Sequence, residues 1–173
     1  DVALNIPDFR SCERAFQLIT QVAGRAGRGK VPGKVIIQTN NPDHYMFEFV
    51  SEHDVNAFHD KELKLRKRLN YPPFTKIIAL EIVCENEIQG QNAIDKLKQS
   101  YSRLISGEKS VDLIGPSKAA LYRLQNKFRW HLILRGRNMK QLQNILLKFS
   151  RLNESKARDK VKLTIDVDPL NLL

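Results

Sequence analysis

The chain has 173 residues, 42% hydrophobic and 28% charged, with a formal net charge of +10. Those proportions describe soluble globular material sized for one ordinary domain or two small ones, and they exclude a disordered tail. No apolar run nears the ~20 residues of a membrane span, and Cys12 and Cys84 lack the spacing of a zinc or redox pair.

Apolar residues at 15, 16, 19, 22 and 23 predict a helix through SCERAFQLITQVAG, with Ser11 as its N-cap and the following glycines as its end. Four of the eight glycines stand at 24, 27, 29 and 33. GKVIIQT then predicts a short buried strand, Val35 to Thr39. Residues 1–41 are therefore expected to be the edge of a larger α/β domain, and the absent initiator Met fits a fragment. Pro42 suits the first turn of a helical stretch reaching Tyr71, with a break near His53–Asp54. Its mixed charges, five basic and four acidic between Glu52 and Arg68, predict a solvated helical connector over 42–71. YPPF at 71–74 stops it and opens a domain over 72–173.

In that domain TKIIALEIVCE predicts a strand with Ile78, Leu80 and Ile82 on one face. A helix follows with Ile94, Leu97, Tyr101 and Leu104 in line, then a short strand VDLIG and a long loop. KFRWHLILR alternates, with Phe128, Trp130, Leu132 and Leu134 on one side, and Asn138 caps a helix bearing Leu142, Ile145, Leu146 and Phe149. VKLTIDVD closes the series with Val161, Leu163, Ile165 and Val167 on one face. The order is β-α-β-β-α-β, which predicts an α+β ferredoxin-like domain with two helices on one face of its sheet.

The charge is concentrated there. Thirteen Lys or Arg face two acids between Pro116 and Lys162, which points to polyanions. With Trp130 turned to the core, alternation puts Lys127, Arg129, His131, Arg135 and Lys162 on the open sheet face as DNA-binding candidates. His44, His53, His59 and His131 have no Glu or Cys at ligand spacing, so no metal site is expected. Asp166 and Asp168 could pair around a magnesium ion, although a strand running into a Pro turn accounts for them better.

The string QVAGRAGR, with Gln21, Arg25 and Arg28, has the form Q-x-x-G-R-x-G-R. It resembles the last motif of superfamily 2 helicases, carried on the second RecA-like lobe. Arginine suits that role because its planar fork meets phosphate oxygens and stabilises charge in transfer. LNIPDFRSCERAFQLITQVAGRAGRG, VIIQT, NPDHY, LRKRLNYPPF, KFRWHLIL and DVDPL extend the resemblance, in order, over essentially the whole chain. Together they resemble the C-terminal part of the PriA (primosomal protein N′) family of bacterial replication-restart DNA helicases.

The resemblance implies a RecA-like lobe edge at 1–41, the connector, and a terminal domain similar to a small-subunit ribosomal protein. It implies a cytoplasmic, nucleoid-associated parent that binds forked or single-stranded DNA, hydrolyses ATP with magnesium, unwinds 3′ to 5′ and assembles with other primosome proteins. Gln21, Arg25 and Arg28 would sense the γ-phosphate. Lys140 and Gln143 would meet the acidic tail of single-strand-binding protein, although Met139 departs from the arginine common beside them. The family's zinc would lie in an upstream part absent here. The sequence has no G-x-x-x-x-G-K-[ST] loop and no D-E-x-H box, so this chain by itself is expected to bind no cofactor tightly and to hydrolyse no ATP. The alternative is a stand-alone basic nucleic-acid-binding module without ATPase.

Overall fold

The computed structural model describes residues 1–26, 33–105, 110–153 and 161–172. They form two units, Asp1–Leu69 and Asn70–Leu173.

The first unit is helical: α1 (Val2–Asn5), α2 (Ser11–Ala26), α3 (Met46–Glu52) and α4 (Val55–Arg68). Asp8 anchors the start of α2, accepting from the Arg10 amide at 2.8 Å and pairing with Arg14 at 3.1 Å. His53, left-handed at φ 54°, ends α3, and the Asp54 carboxylate accepts from the Ala57 amide at 2.9 Å to start α4. The predicted break therefore falls where the sequence places it. Ala15, Phe16, Met46, Val50 and Phe58 form the core, with the Phe16 and Phe58 rings stacked 3.7 Å apart.

Two expectations are corrected in this unit. Residues 35–39 form no strand, and Ile36 is 82% exposed. A strand is made by the neighbour it pairs with, and no described residue pairs with this one. The segment is tied down at its end instead, where the Thr39 hydroxyl and the Asn40 amide both donate to the Asp1 carboxylate. Nor is α4 a merely solvated connector. Phe58 and Glu62 are buried, and Glu62 accepts from the Tyr45 hydroxyl while lying 3.5 Å from Arg66 Nε. Arg66 also grips Glu13 of α2 at 2.5 Å. The Cys12 thiol closes this network 3.2 Å from the Tyr45 hydroxyl. Burial pushes that thiol up from 9.0 to about 12, with the Tyr45 hydroxyl opposing and the Glu62 charge adding to the shift.

The second unit runs β1 (Lys76–Cys84), α5 (Glu87–Ile105), β2 (Val111–Leu124), β3 (Lys127–Gly136), α6 (Met139–Asn153) and β4 (Val161–Val167). This is the expected element order. All pairings are antiparallel, in the order β2-β3-β1-β4. Ile78, Leu80, Ile82 and Cys84 meet Trp130, Leu132 and Leu134 on one face, covered by Ile94, Leu97 and Tyr101 of α5 and Leu142 and Ile145 of α6. Asn138 caps α6 as expected, its side chain accepting from the Lys140 amide at 2.9 Å.

The predicted long loop after VDLIG is a correction, because β2 continues through it to Leu124. Gly115, at φ 96°, lets the strand kink between Ile114 and Ser117 without leaving the sheet. Gln125 and Asn126, at φ 52° and 59°, then make a two-residue hairpin turn into β3.

Candidate nucleic-acid and nucleotide-sensing surfaces

Register decides what lies on the sheet face away from the helices. Glu81 stands opposite His131 on β3 and Thr164 on β4, Val83 opposite Arg129 and Lys162, and Ile77 opposite Arg135. The same alternation adds Asp112, Ile114 and Ser117 from β2. Lys127, Arg129, His131, Arg135 and Lys162 thus share one face, as the alternation predicts.

The face is less open and less free in charge than the sequence suggests. Arg129 Nε donates to Glu81 Oε1 at 2.6 Å, Arg129 Nη2 pairs with the same oxygen, and His131 Nε2 lies 3.5 Å from it. Arg135 Nη2 is 3.0 Å from Asp112, and its guanidinium lies 5.6 Å from the centre of the Tyr71 ring. Arg129 and Arg135 are mostly buried by these partners, whereas Lys127 and Lys162 are exposed. Arg129 and Arg135 are thus already engaged by carboxylates, and the exposed cations of this face are the two lysines. Glu81 and Asp112, the carboxylates that pair with Arg129 and Arg135, were not singled out from the sequence. The alternation of KIIALEIVC puts Glu81 on this face, but only the β1–β3 register sets it beside Arg129.

The chain after β4 also covers part of the face. It turns at Asp168, at φ 52°, whose amide donates to the Ile77 carbonyl at 3.0 Å. Pro169 is buried, and Ile77 is only 1% exposed although it points away from the helices. Asn171 and Leu172 border a cleft of about 120 Å³ with Glu81, His131, Thr164 and Asp166. Asp168 pairs with Lys76 at 3.6 Å, so the DVDP stretch reads as a strand end and turn. Among the described residues no group of three or more His, Cys, Asp or Glu could hold a metal ion. His44 and His53 have local backbone roles, His44 Nδ1 accepting from the Met46 amide at 3.3 Å and His53 ending α3.

Gln21 and Arg25 lie four residues apart near the end of α2, on one side of the helix, and both are exposed. The helix passes through Gly24 to Ala26, and a Cβ at Gly24 would meet nothing. Gly33 is the position that needs glycine. A Cβ there would lie 2.0 Å from the Ala26 carbonyl oxygen, because the returning chain runs against the end of α2. Arg28 lies outside the described residues. Lys140 and Gln143 are exposed on α6, on the opposite side of the sheet from the lysine face.

Residues 67–170 match the protein-family model described as the primosomal protein N C-terminal domain. The chain belongs to this family. It is 38% identical over 172 residues to replication restart protein PriA of Synechocystis sp., covering 99% of this chain and 20% of that protein. The PriA of Bacillus subtilis is 33% identical across 100% of this chain and 21% of its own length, and that of Borreliella burgdorferi 31% across 100% and 26%. The chain thus corresponds to the C-terminal part of PriA and spans about a fifth to a quarter of these relatives. Among the described residues no helix is long and apolar enough to cross a membrane.

Proposed function

We propose that this chain is the C-terminal portion of an ATP-dependent DNA helicase that restarts stalled replication. The observation that carries the reading is the match to PriA proteins along essentially the whole chain, motif string included. On this reading residues 1–41 are the edge of a RecA-like lobe and the second unit is a ferredoxin-like domain, to which its β-α-β-β-α-β order and β2-β3-β1-β4 sheet conform.

Gln21 and Arg25 fit nucleotide sensing because they stand exposed on one side of a helix end, able to meet a phosphate brought by another part of the protein. ATP with magnesium supplies the transferred phosphoryl group, and the arginine stabilises negative charge on it. Lys127 and Lys162, backed by the Arg129–Glu81 and Arg135–Asp112 pairs, supply contacts to forked or single-stranded DNA. Lys140 and Gln143 offer a separate rim for an acidic protein tail, leaving both surfaces free at once. Because the sequence lacks a phosphate loop, the purified chain is expected to show no DNA-stimulated ATP hydrolysis above buffer. Turnover that rises with chain concentration and disappears in an Arg25→Ala variant would contradict the division of labour between lobes.

A further inference from the structure

The β2–β3 hairpin carries charge and apolar surface that neither the core nor the lysine face accounts for. From Gly115 to Gly136 there are five Lys or Arg and no acid. Glu81 and Asp112 take Arg129 and Arg135, and Lys118 lies 4.0 Å from Glu87. Arg123 and Lys127, flanking the turn, have no acidic partner among the described residues. Arg123 donates to Asn126 Oδ1 at 3.3 Å, and its guanidinium lies 5.5 Å from the centre of the Phe128 ring.

Just before the turn the strand bulges. Lys118 pairs with Trp130 and Arg123 with Phe128, so five steps along β2 span two along β3. The residues of this segment and the turn beyond it split in direction. Ala119 is buried, while Leu121 is 61% exposed and Leu124 45%. Tyr122 holds this arm to the core, its ring 5.5 Å from Phe128 and edge-on to Trp130 at 5.2 Å. An anchored bulge thus holds an exposed leucine just ahead of two cations, Arg123 and Lys127, that have no acidic partner among the described residues. Two cations without acidic partners beside the turn suit a polyanion, and a projecting apolar side chain suits a base that has left its stack.

We propose that the hairpin tip is a second nucleic-acid contact, with Arg123 and Lys127 on backbone phosphates and Leu121 against an unpaired base. The preferred ligand is single-stranded DNA or a duplex–single-strand junction. This rests on the DNA-binding reading above and adds a site to it, with Lys127 joining the two surfaces.

The test compares the 173-residue chain, a Leu121→Ser/Arg123→Ala variant and a Lys162→Ala variant by fluorescence anisotropy on labelled oligothymidylate and on a blunt duplex. Both arm substitutions are at exposed positions, and unchanged emission from Trp130, the only tryptophan, checks the fold. The arm variant is expected to lose roughly tenfold in affinity for the single strand and much less for the duplex, with a log–log salt slope shallower by about 0.7. Equal loss on both ligands overturns the base contact. Wild-type binding by the arm variant, with weakened binding by Lys162→Ala, overturns the arm site and leaves the sheet-face reading standing. Failure of the unaltered chain to bind either ligand overturns both.

Discussion

Replacing Trp130 by alanine is expected to destabilise the second unit by about 3–5 kcal/mol. Its ring is 2% exposed and lies in the middle of the sheet's helix-covered face, with Tyr122 edge-on to it. α5 comes so close at Gly90 that a Cβ there would lie 2.4 Å from Trp130 Cη2 and 2.5 Å from the Cys84 sulfur. Glycine at that helical position costs about 1 kcal/mol of helix propensity relative to alanine, and the close seating of a large aromatic offsets it. Removing the indole leaves a void that α5 can fill only by moving, and the helix is held by Ile94, Leu97 and Tyr101 on the same face. Urea denaturation followed by far-ultraviolet circular dichroism reads the loss. A change below about 1 kcal/mol accompanied by weakened DNA binding would instead make Trp130 a surface that stacks bases.

The second large effect belongs to the full-length protein. There Arg25→Ala is expected to lower DNA-stimulated ATP turnover by about a thousandfold, in the range measured for arginines that stabilise phosphoryl transfer. DNA affinity should hardly change, since Arg25 lies in the first unit and the lysine face in the second. Arg25→Lys should recover little, because an ammonium keeps the charge but loses the planar fork. Stability should also be unaffected, as the side chain is exposed at a helix end. A fall of less than tenfold would assign the string a structural role instead, with Gly33 seated against the Ala26 carbonyl.

Legibility from sequence followed how local the determining interaction is. Alternation in KFRWHLILR and KIIALEIVC assigned both faces of two strands correctly, because side-chain direction along a strand depends on the strand alone. The His53–Asp54 break was legible for a similar reason, since Asp54 caps its own helix. The start of β2 was legible in VDLIG, but its continuation was not, because Gly115-Pro116 has the local chemistry of a breaker and only pairing with β3 carries the strand past it. Residues 35–39 failed the opposite way, with strand chemistry and no described partner. Charge was hardest to read. Arg129 and Glu81 are 48 residues apart in sequence, so composition counts two independent charges where the fold makes a pair. Glu62 likewise counts as a solvent charge in α4, yet it is buried between Tyr45 and Arg66. The candidate DNA face was thus legible in position, and its neutralising partners were not.

On the proposed reading, the second unit binds DNA through phosphate contacts on its lysine face. Its most direct test is the affinity of the 173-residue chain for labelled forked DNA across a salt series, with a Lys127→Ala/Lys162→Ala variant alongside. The expected result is a linear fall of log K with log salt, and a slope shallower by about 1.8 in the variant, at ~0.9 for each phosphate contact on duplex DNA. Binding that is absent at low salt, or a slope the two substitutions leave unchanged, would contradict it.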